Sequence, residues 1–201
     1  MQEILPGVWH WTAEHPDIHS DVSSYYLEDA GAALDPLLPE GGVDSFGDWA
    51  VQQVILTNRL HGRDAPRVQA AFGAVVRIPR AGRHHFEGSD LRIETYHPGD
   101  EIASGVRAYE LGAISADDGV LHVSAGLGAL HFADGLLHRD GELALMPDDL
   151  TDDPERVRRT TFERLPRLLE LDFDALLFAH SDPITTGGRD LLADFVRSAT
   201  A

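Results

Sequence analysis

The segment Val51–Asp64 (VQQVILTNRLHGRD) decides the fold, because a run of apolar residues stops abruptly at a polar stretch. VQQVILT is rich in β-branched and apolar residues and predicts a buried strand that delivers a loop at its carboxyl end. Residues 64–72 carry apolar side chains at helical spacing, and Val75–Ile78 returns as a strand. This order predicts a β-α-β unit with polar side chains at the end of its first strand.

Further elements are predicted on both sides of this unit. Strands are expected at Ile4–Trp11 around a Pro6-Gly7 turn, Ser23–Glu28 and Gly31–Leu34. An antiparallel meander is expected from Leu91–Tyr96, Val106–Leu111, Val120–Ser124 and Ala129–Ala133. Then follow a helix, a buried strand and a closing helix at Pro154–Glu170, Ala175–Ala179 and Gly188–Arg197, with Pro166 predicted to break or kink the first helix. No repeat or linker divides the sequence, so we expect a single α/β (α+β) domain over residues 1–201, with two packed sheets and outer helices.

Composition excludes several kinds of chemistry. The chain has no cysteine, which removes disulfides, thiolate nucleophiles and iron–sulfur clusters. All 16 basic residues are arginine. Without lysine the chain has neither a P-loop nor a Schiff-base nucleophile.

The charge balance limits the partners. A net charge of −18 argues against nucleic acid and anionic membranes, which require clustered positive charge. No stretch approaches the ~20 apolar residues of a membrane helix, and Met1–Ile4 begin no signal peptide. We expect a cytoplasmic protein with a small-molecule ligand or substrate. The acidity fits either adaptation to high salt or a genome that favours arginine codons.

The order of landmarks resembles the metallo-β-lactamase superfamily over nearly the whole chain. These landmarks are LPGVWHW (5–11), ALDP (33–36), ILT (55–57), HFADGLLH (131–138) and FAHSDPI (178–184). The resemblance implies a four-layer αββα sandwich of two mixed sheets flanked by helices. It also implies a hydrolase ancestry and a two-metal site at the strand ends.

The metal-binding motif of that family is largely missing. In the family, the strand matching ILT is followed by His-x-His-x-Asp-His, but here the four ligand positions hold Asn58, Leu60, Gly62 and Arg63. None of these is a good metal ligand, and an arginine brings positive charge to a cation site. A later histidine of the family has no counterpart in residues 112–116. We therefore expect a degenerate site without a dinuclear centre.

Two other ligand positions of the family are retained, at Asp134 and His180. His61 lies one residue beyond the second position of the lost motif, and a one-residue loop adjustment would turn it inward. His61, Asp134 and His180 would then form a His₂-carboxylate set for at most one divalent ion, namely zinc, iron or manganese. The pattern TN-x-x-H-x-R (57–63) is also similar to a divergent branch of the superfamily, so a variant site stays open beside simple decay.

Supporting roles follow from the same resemblance. Asp35 is expected to hold the loop after ILT through Thr57 and Asn58. Without metal, Asp134 is expected to accept hydrogen bonds from Arg63 or Arg59. Purely structural roles also remain open, since Asp134 begins an Asp-Gly pair, which is common in turns, and a strand-end histidine such as His180 often bonds to backbone. The candidate pocket residues are therefore Asn58, Arg59, His61, Arg63, Asp134 and His180.

Two functions remain open. The first is a binding module of hydrolase ancestry, a pseudoenzyme without dinuclear hydrolysis, for which no cofactor is expected. The second is a hydrolase in which one metal at His61, Asp134 and His180 activates a water. A metal-free hydrolase lacks a nucleophile, because Ser115 and Ser124 stand in no recognisable triad context.

Overall fold

The computed structural model describes residues 1–199 and contains a first sheet of seven strands in sequential order. The strands are β1 (Gln2–Leu5), β2 (Val8–His15), β3 (Ser20–Leu27), β4 (Ala32–Leu34), β5 (Gln53–Ile55), β6 (Val75–Pro79) and β7 (Ile93–Tyr96). Strands β1 to β4 pair antiparallel, and β4 to β7 pair parallel. The sheet is therefore mixed, and the carboxyl ends of its parallel strands lie along one edge.

A second mixed sheet has the strand order β14-β11-β10-β9-β8. Its strands are β8 (Glu101–Ala103), β9 (Val106–Glu110), β10 (Gly119–Val123), β11 (Ala129–Phe132) and β14 (Ala175–Phe178), and a separate hairpin is formed by β12 (Leu137–Arg139) and β13 (Glu142–Ala144). Strand β14 pairs parallel with β11, whereas the other pairs are antiparallel.

Three α-helices cover the outer faces, namely α1 (Ala65–Phe72), α2 (Pro154–Leu168) and α3 (Gly188–Ser198). Short 3₁₀ helices lie at Gly42–Phe46, Arg59–Gly62, Arg80–Phe86 and Asp148–Leu150. Asp153 caps α2 by accepting a hydrogen bond of 3.0 Å from the N–H of Arg156. Among the described residues 1–199, none of the helices has the length and apolar character needed to cross a bilayer.

The side chains of each buried strand alternate between two cores. Ile55 and Leu177 belong to the core between the sheets, whereas Val54 packs towards α1 and Phe178 towards α2 and α3. Tyr25 joins the sheets across the inner core, because its hydroxyl donates to the carbonyl of Phe178 at 2.9 Å and accepts from its N–H at 3.1 Å. The layers confirm the predicted αββα sandwich.

Several predicted elements differ from the observed ones. Residues 4–11 do not form one strand, because the Pro6-Gly7 turn separates β1 from β2 in an antiparallel hairpin. Strand β7 is not part of the meander, since it pairs parallel with β6 in the first sheet. Pro166 does not break α2 in its interior, because it lies in the last turn and the helix ends at Leu168.

His131 on β11 is fully buried between the sheets beside the ring of Tyr25. Within the described part of the chain, neither of its ring nitrogens has a hydrogen-bond partner. Burial lowers the pKa of His131 to about 4, since the charged ring would lose its hydration. His131 is therefore kept neutral in the folded protein.

Replacing His131 with Phe should remove part of the pH dependence of folding. The unfolded chain binds a proton below the ordinary histidine pKa of 6.5, but the folded chain binds one only below about 4. The free energy of unfolding therefore falls as the pH falls through this window, by up to about 3 kcal/mol. Urea denaturation near pH 7 and near pH 4.5 measures the effect. The same replacement at the exposed His85 is the control, and an unchanged pH dependence in His131→Phe would contradict the prediction.

Candidate metal centre

The loop after β5 is organised by the side chain of Asn58. Its Oδ1 accepts hydrogen bonds from the N–H groups of Leu60 at 2.8 Å and of His61 at 3.1 Å, which caps the short 3₁₀ helix Arg59–Gly62. This turn directs Leu60 outward, where it is 59% exposed, and His61 inward, where it is 3% exposed. His61 therefore faces inward, as the alternative with a one-residue loop adjustment requires.

Asp35 holds both the end of β5 and the ring of His61. Its buried carboxylate accepts hydrogen bonds from the N–H of Thr57 at 2.8 Å and from the Thr57 hydroxyl, and it lies 2.9 Å from Nδ1 of His61. Burial alone would raise the pKa of Asp35, but the charge and hydrogen bond of His61 outweigh burial and lower it to about 2. The carboxylate therefore stays ionised.

His61, Asp134 and His180 come together at the ends of β5, β11 and β14. Nε2 of His61 lies 3.1 Å from Oδ1 of Asp134 and 3.2 Å from Nε2 of His180, and Nε2 of His180 lies 3.0 Å from the same Asp134 oxygen. Burial would lower the pKa of His61, but the carboxylates of Asp35 and Asp134 raise it to about 9. Burial lowers the pKa of His180 despite its contact with Asp134.

Asp134 is positioned from two sides by groups that the sequence analysis did not assign to it. Nδ2 of Asn58 donates to its Oδ2 at 2.6 Å. Asn58 therefore supports Asp134, whereas the sequence analysis predicted that it would contact Asp35. The buried Asp118 accepts the N–H of Asp134 at 3.2 Å and that of Ile114 at 3.3 Å. Burial, together with the nearby charge of Asp134, raises the pKa of Asp118 to about 7.

The only sequence signal for Asp118 was its position directly before β10, where a polar residue can reach the edge of the sheet. Its role depends on Asp134, which lies on another strand, so the spacing of residues along the chain could not assign it.

The two candidate arginines do not pair with Asp134, which corrects the expectation for a metal-free site. Arg59 binds Asp117 through both its backbone N–H, at 2.7 Å, and its guanidinium. Nη1 of Arg63 donates to the carbonyl oxygens of Ser23 at 3.0 Å and Asp35 at 2.7 Å. Both cations therefore bind the loops around the site and leave the Asp134 carboxylate to Asn58 and the histidines.

The donor set fits one metal ion. A tetrahedral zinc with bonds of about 2.0–2.1 Å places neighbouring ligand atoms about 3.3 Å apart. The three distances in the cluster are 3.0, 3.1 and 3.2 Å, so shifts of a few tenths of an ångström suffice. Asp35 binds Nδ1 of His61, which leaves Nε2 for a metal, as in carboxylate–histidine–metal arrangements.

The side chains at the four ligand positions of the family motif add no metal ligand to this cluster. Asn58 uses its amide on Asp134, and Leu60 turns outward. Gly62 has no side-chain donor atom, and the guanidinium of Arg63 lines the cavity as a cation.

The four-layer sandwich with a polar cluster at its strand ends defines a class, the metallo-β-lactamase fold. A superfamily protein from the archaeon Sulfolobus tokodaii is 15% identical, with a TM-score of 0.66 over 98% of this chain and 87% of that protein. A family protein from Thermus thermophilus is 16% identical, with a TM-score of 0.68 over 98% of this chain and 81% of that protein.

A flavo di-iron protein variant from Thermotoga maritima is 15% identical, with a TM-score of 0.66. The match covers 96% of this chain and 59% of that protein. No family sequence model matches this chain, and no curated protein matches it either. The similarity to these solved structures shows that the chain has the metallo-β-lactamase fold, which confirms the resemblance seen in its sequence.

Replacing Asp35 with Asn should destabilise the protein by about 3 kcal/mol, since removal of one partner leaves buried polar groups without compensation. The amide would present an N–H group to the donors of Thr57 and would leave His61 without its carboxylate. Urea denaturation measures the change, with the exposed Asp90→Asn as the matched control. A loss below about 1 kcal/mol, within the range of ordinary surface substitutions and single hydrogen bonds, would contradict this role.

Proposed function

We propose that the protein is a hydrolase that uses one divalent metal ion held by His61, Asp134 and His180. The observation that carries the proposal is the convergence of three ligand atoms at mutual distances of 3.0–3.2 Å, with Asp35 on the far nitrogen of His61. Zinc, iron and manganese all accept imidazole and carboxylate ligands, and a His₂-carboxylate set leaves coordination positions open.

The chain's own residues would prepare this site before any substrate arrives. Asp35 orients the ring of His61, and Asn58 restrains the carboxylate of Asp134. The bound ion would supply Lewis acidity and activate water for attack on an acyl group. The cavity of about 390 Å³ beside the cluster is lined by all three ligands and is of the size that small-molecule sites have.

A second candidate is a metal-free binding protein, and one observation favours it. His61 already lies within hydrogen-bond distance of both Asp35 and Asp134, so an imidazolium there would compensate the buried carboxylates without any metal. The cavity would then bind a small molecule without hydrolysing it. In both cases we propose that no dinuclear centre forms.

Metal analysis separates the two candidates. The protein is incubated with zinc, manganese or ferrous iron, desalted, and assayed for metal by elemental analysis. We expect about one ion per chain in the wild type and a loss of stoichiometric metal in Asp134→Ala and His180→Ala, because two remaining ligands bind a divalent ion poorly. Circular dichroism verifies that each variant is folded.

The matched control is His85→Ala, which removes an exposed histidine outside the site and should retain the metal. Two ions per chain would overturn the single-metal proposal. Absence of stoichiometric metal in the wild type would favour the binding protein. Hydrolysis of esters and lactones that depends on the added metal and is lost in Asp134→Ala would support the enzyme.

A further inference from the structure

Exposed large apolar side chains gather around the candidate metal centre. Within residues 1–199 the exposed large hydrophobics are Met1, Ile18, Leu60, Leu127 and Leu150. Three of them, Ile18, Leu60 and Leu150, line the same cavity as His61, Asp134 and His180. Single exposed leucines are ordinary on protein surfaces, but several around one concave site indicate a binding surface.

The three side chains come from separate segments that the fold brings together. Ile18 lies in the turn between β2 and β3, Leu60 in the capped loop after β5, and Leu150 at the end of the 3₁₀ helix Asp148–Leu150. The hydrogen bond from the N–H of Leu60 to Asn58 holds this leucine in its outward position. An apolar side chain is therefore placed on the cavity wall where the superfamily motif has a metal ligand.

The apolar surface continues beyond the metal centre. A second cavity of about 440 Å³ adjoins the first and shares Ile18, Met146, Leu150 and His180 with it. Each cavity alone lies in the range of small-molecule sites, about 300–1,000 Å³. The shared lining makes one groove that begins at His180 and runs along aliphatic side chains.

The charges along the groove favour an uncharged occupant. Two carboxylates, Asp17 and Asp21, and two guanidinium groups, Arg63 and Arg139, stand on its walls, so neither sign of charge is in excess there. The net charge of the whole chain, −18, disfavours anionic amphiphiles. Nη1 of Arg63 is engaged with the carbonyls of Ser23 and Asp35, and among the described residues its buried Nη2 has no hydrogen-bond partner. The shared apolar lining is aliphatic, and methionine adapts well to flexible chains.

We propose that this groove binds the aliphatic chain of an uncharged acyl compound and places its acyl group at His61, Asp134 and His180. As a statement about substrate, the inference rests on the proposed hydrolase function. Binding of an aliphatic chain requires only the groove, so the groove and the hydrolase function can be refuted separately.

The test measures how the purified protein binds N-phenyl-1-naphthylamine, a neutral fluorescent probe. Unbranched alcohols from butanol to decanol then displace the probe. We expect affinity to rise about fourfold per methylene until the groove is filled, because each buried methylene contributes a nearly constant free energy. Replacement of Leu60 or Ile18 with Ser should weaken decanol binding about tenfold, since each removes part of the apolar wall.

Leu127→Ser is the matched control, because Leu127 is also an exposed leucine but lies outside the groove. It should bind decanol as the wild type does. An affinity that is independent of chain length, or an equal loss in Leu127→Ser and Leu60→Ser, would overturn the proposal.

The metal content of the same samples separates the two proposals. Chain-length-dependent binding by a protein that holds no metal would support the groove and refute the hydrolase. One ion per chain without chain-length dependence would refute the groove and leave the hydrolase standing. With both present, Leu60→Ser should keep its metal and lose affinity for decanol.

Discussion

The carboxylate of Asp35, buried at the end of β4, accepts hydrogen bonds from the backbone and side chain of Thr57 and lies against Nδ1 of His61. The parallel pairing of β4 with β5 brings these groups together, so the orientation of the His61 ring follows from the pairing of two strands. Asp35 adopts a φ of +42°, which an aspartate tolerates better than most residues do. The orientation of His61 thus depends on one residue directly after β4.

Charge compensation is the second constraint on this site. The carboxylates of Asp35 and Asp134 are both buried, and an unpaired buried charge costs several kcal/mol. The guanidinium of Arg63 supplies a permanent positive charge nearby, and the raised pKa of His61 supplies another in the absence of metal. A divalent ion among His61, Asp134 and His180 would satisfy the same need. The cluster therefore favours a cation there, whether proton or metal.

Much of the architecture could be predicted from the sequence, because long apolar runs such as that ending at Thr57 indicate buried strands. The polar residues that follow these runs indicate the edge of the sheet at which the site lies. The parallel pairing of β7 and the hairpin of residues 137–144 could not, since short strands take their partners from the tertiary structure. The contact between Asn58 and Asp134 joins residues 76 positions apart, which local spacing does not reveal. The outward turn of Leu60 depends on the local cap formed by Asn58 and was not predicted.

The cap formed by Asn58 decides which side chain of the following turn enters the protein. Leu60 and His61 are neighbours in the chain, yet one faces solvent and the other the interior because their N–H groups share one amide oxygen. A change in that cap could shift the inward position by one residue while every strand stays paired. Catalytic divergence on this scaffold would then need substitutions in only a few adjacent codons. A designer could move a ligand between neighbouring positions by substituting the capping residue alone.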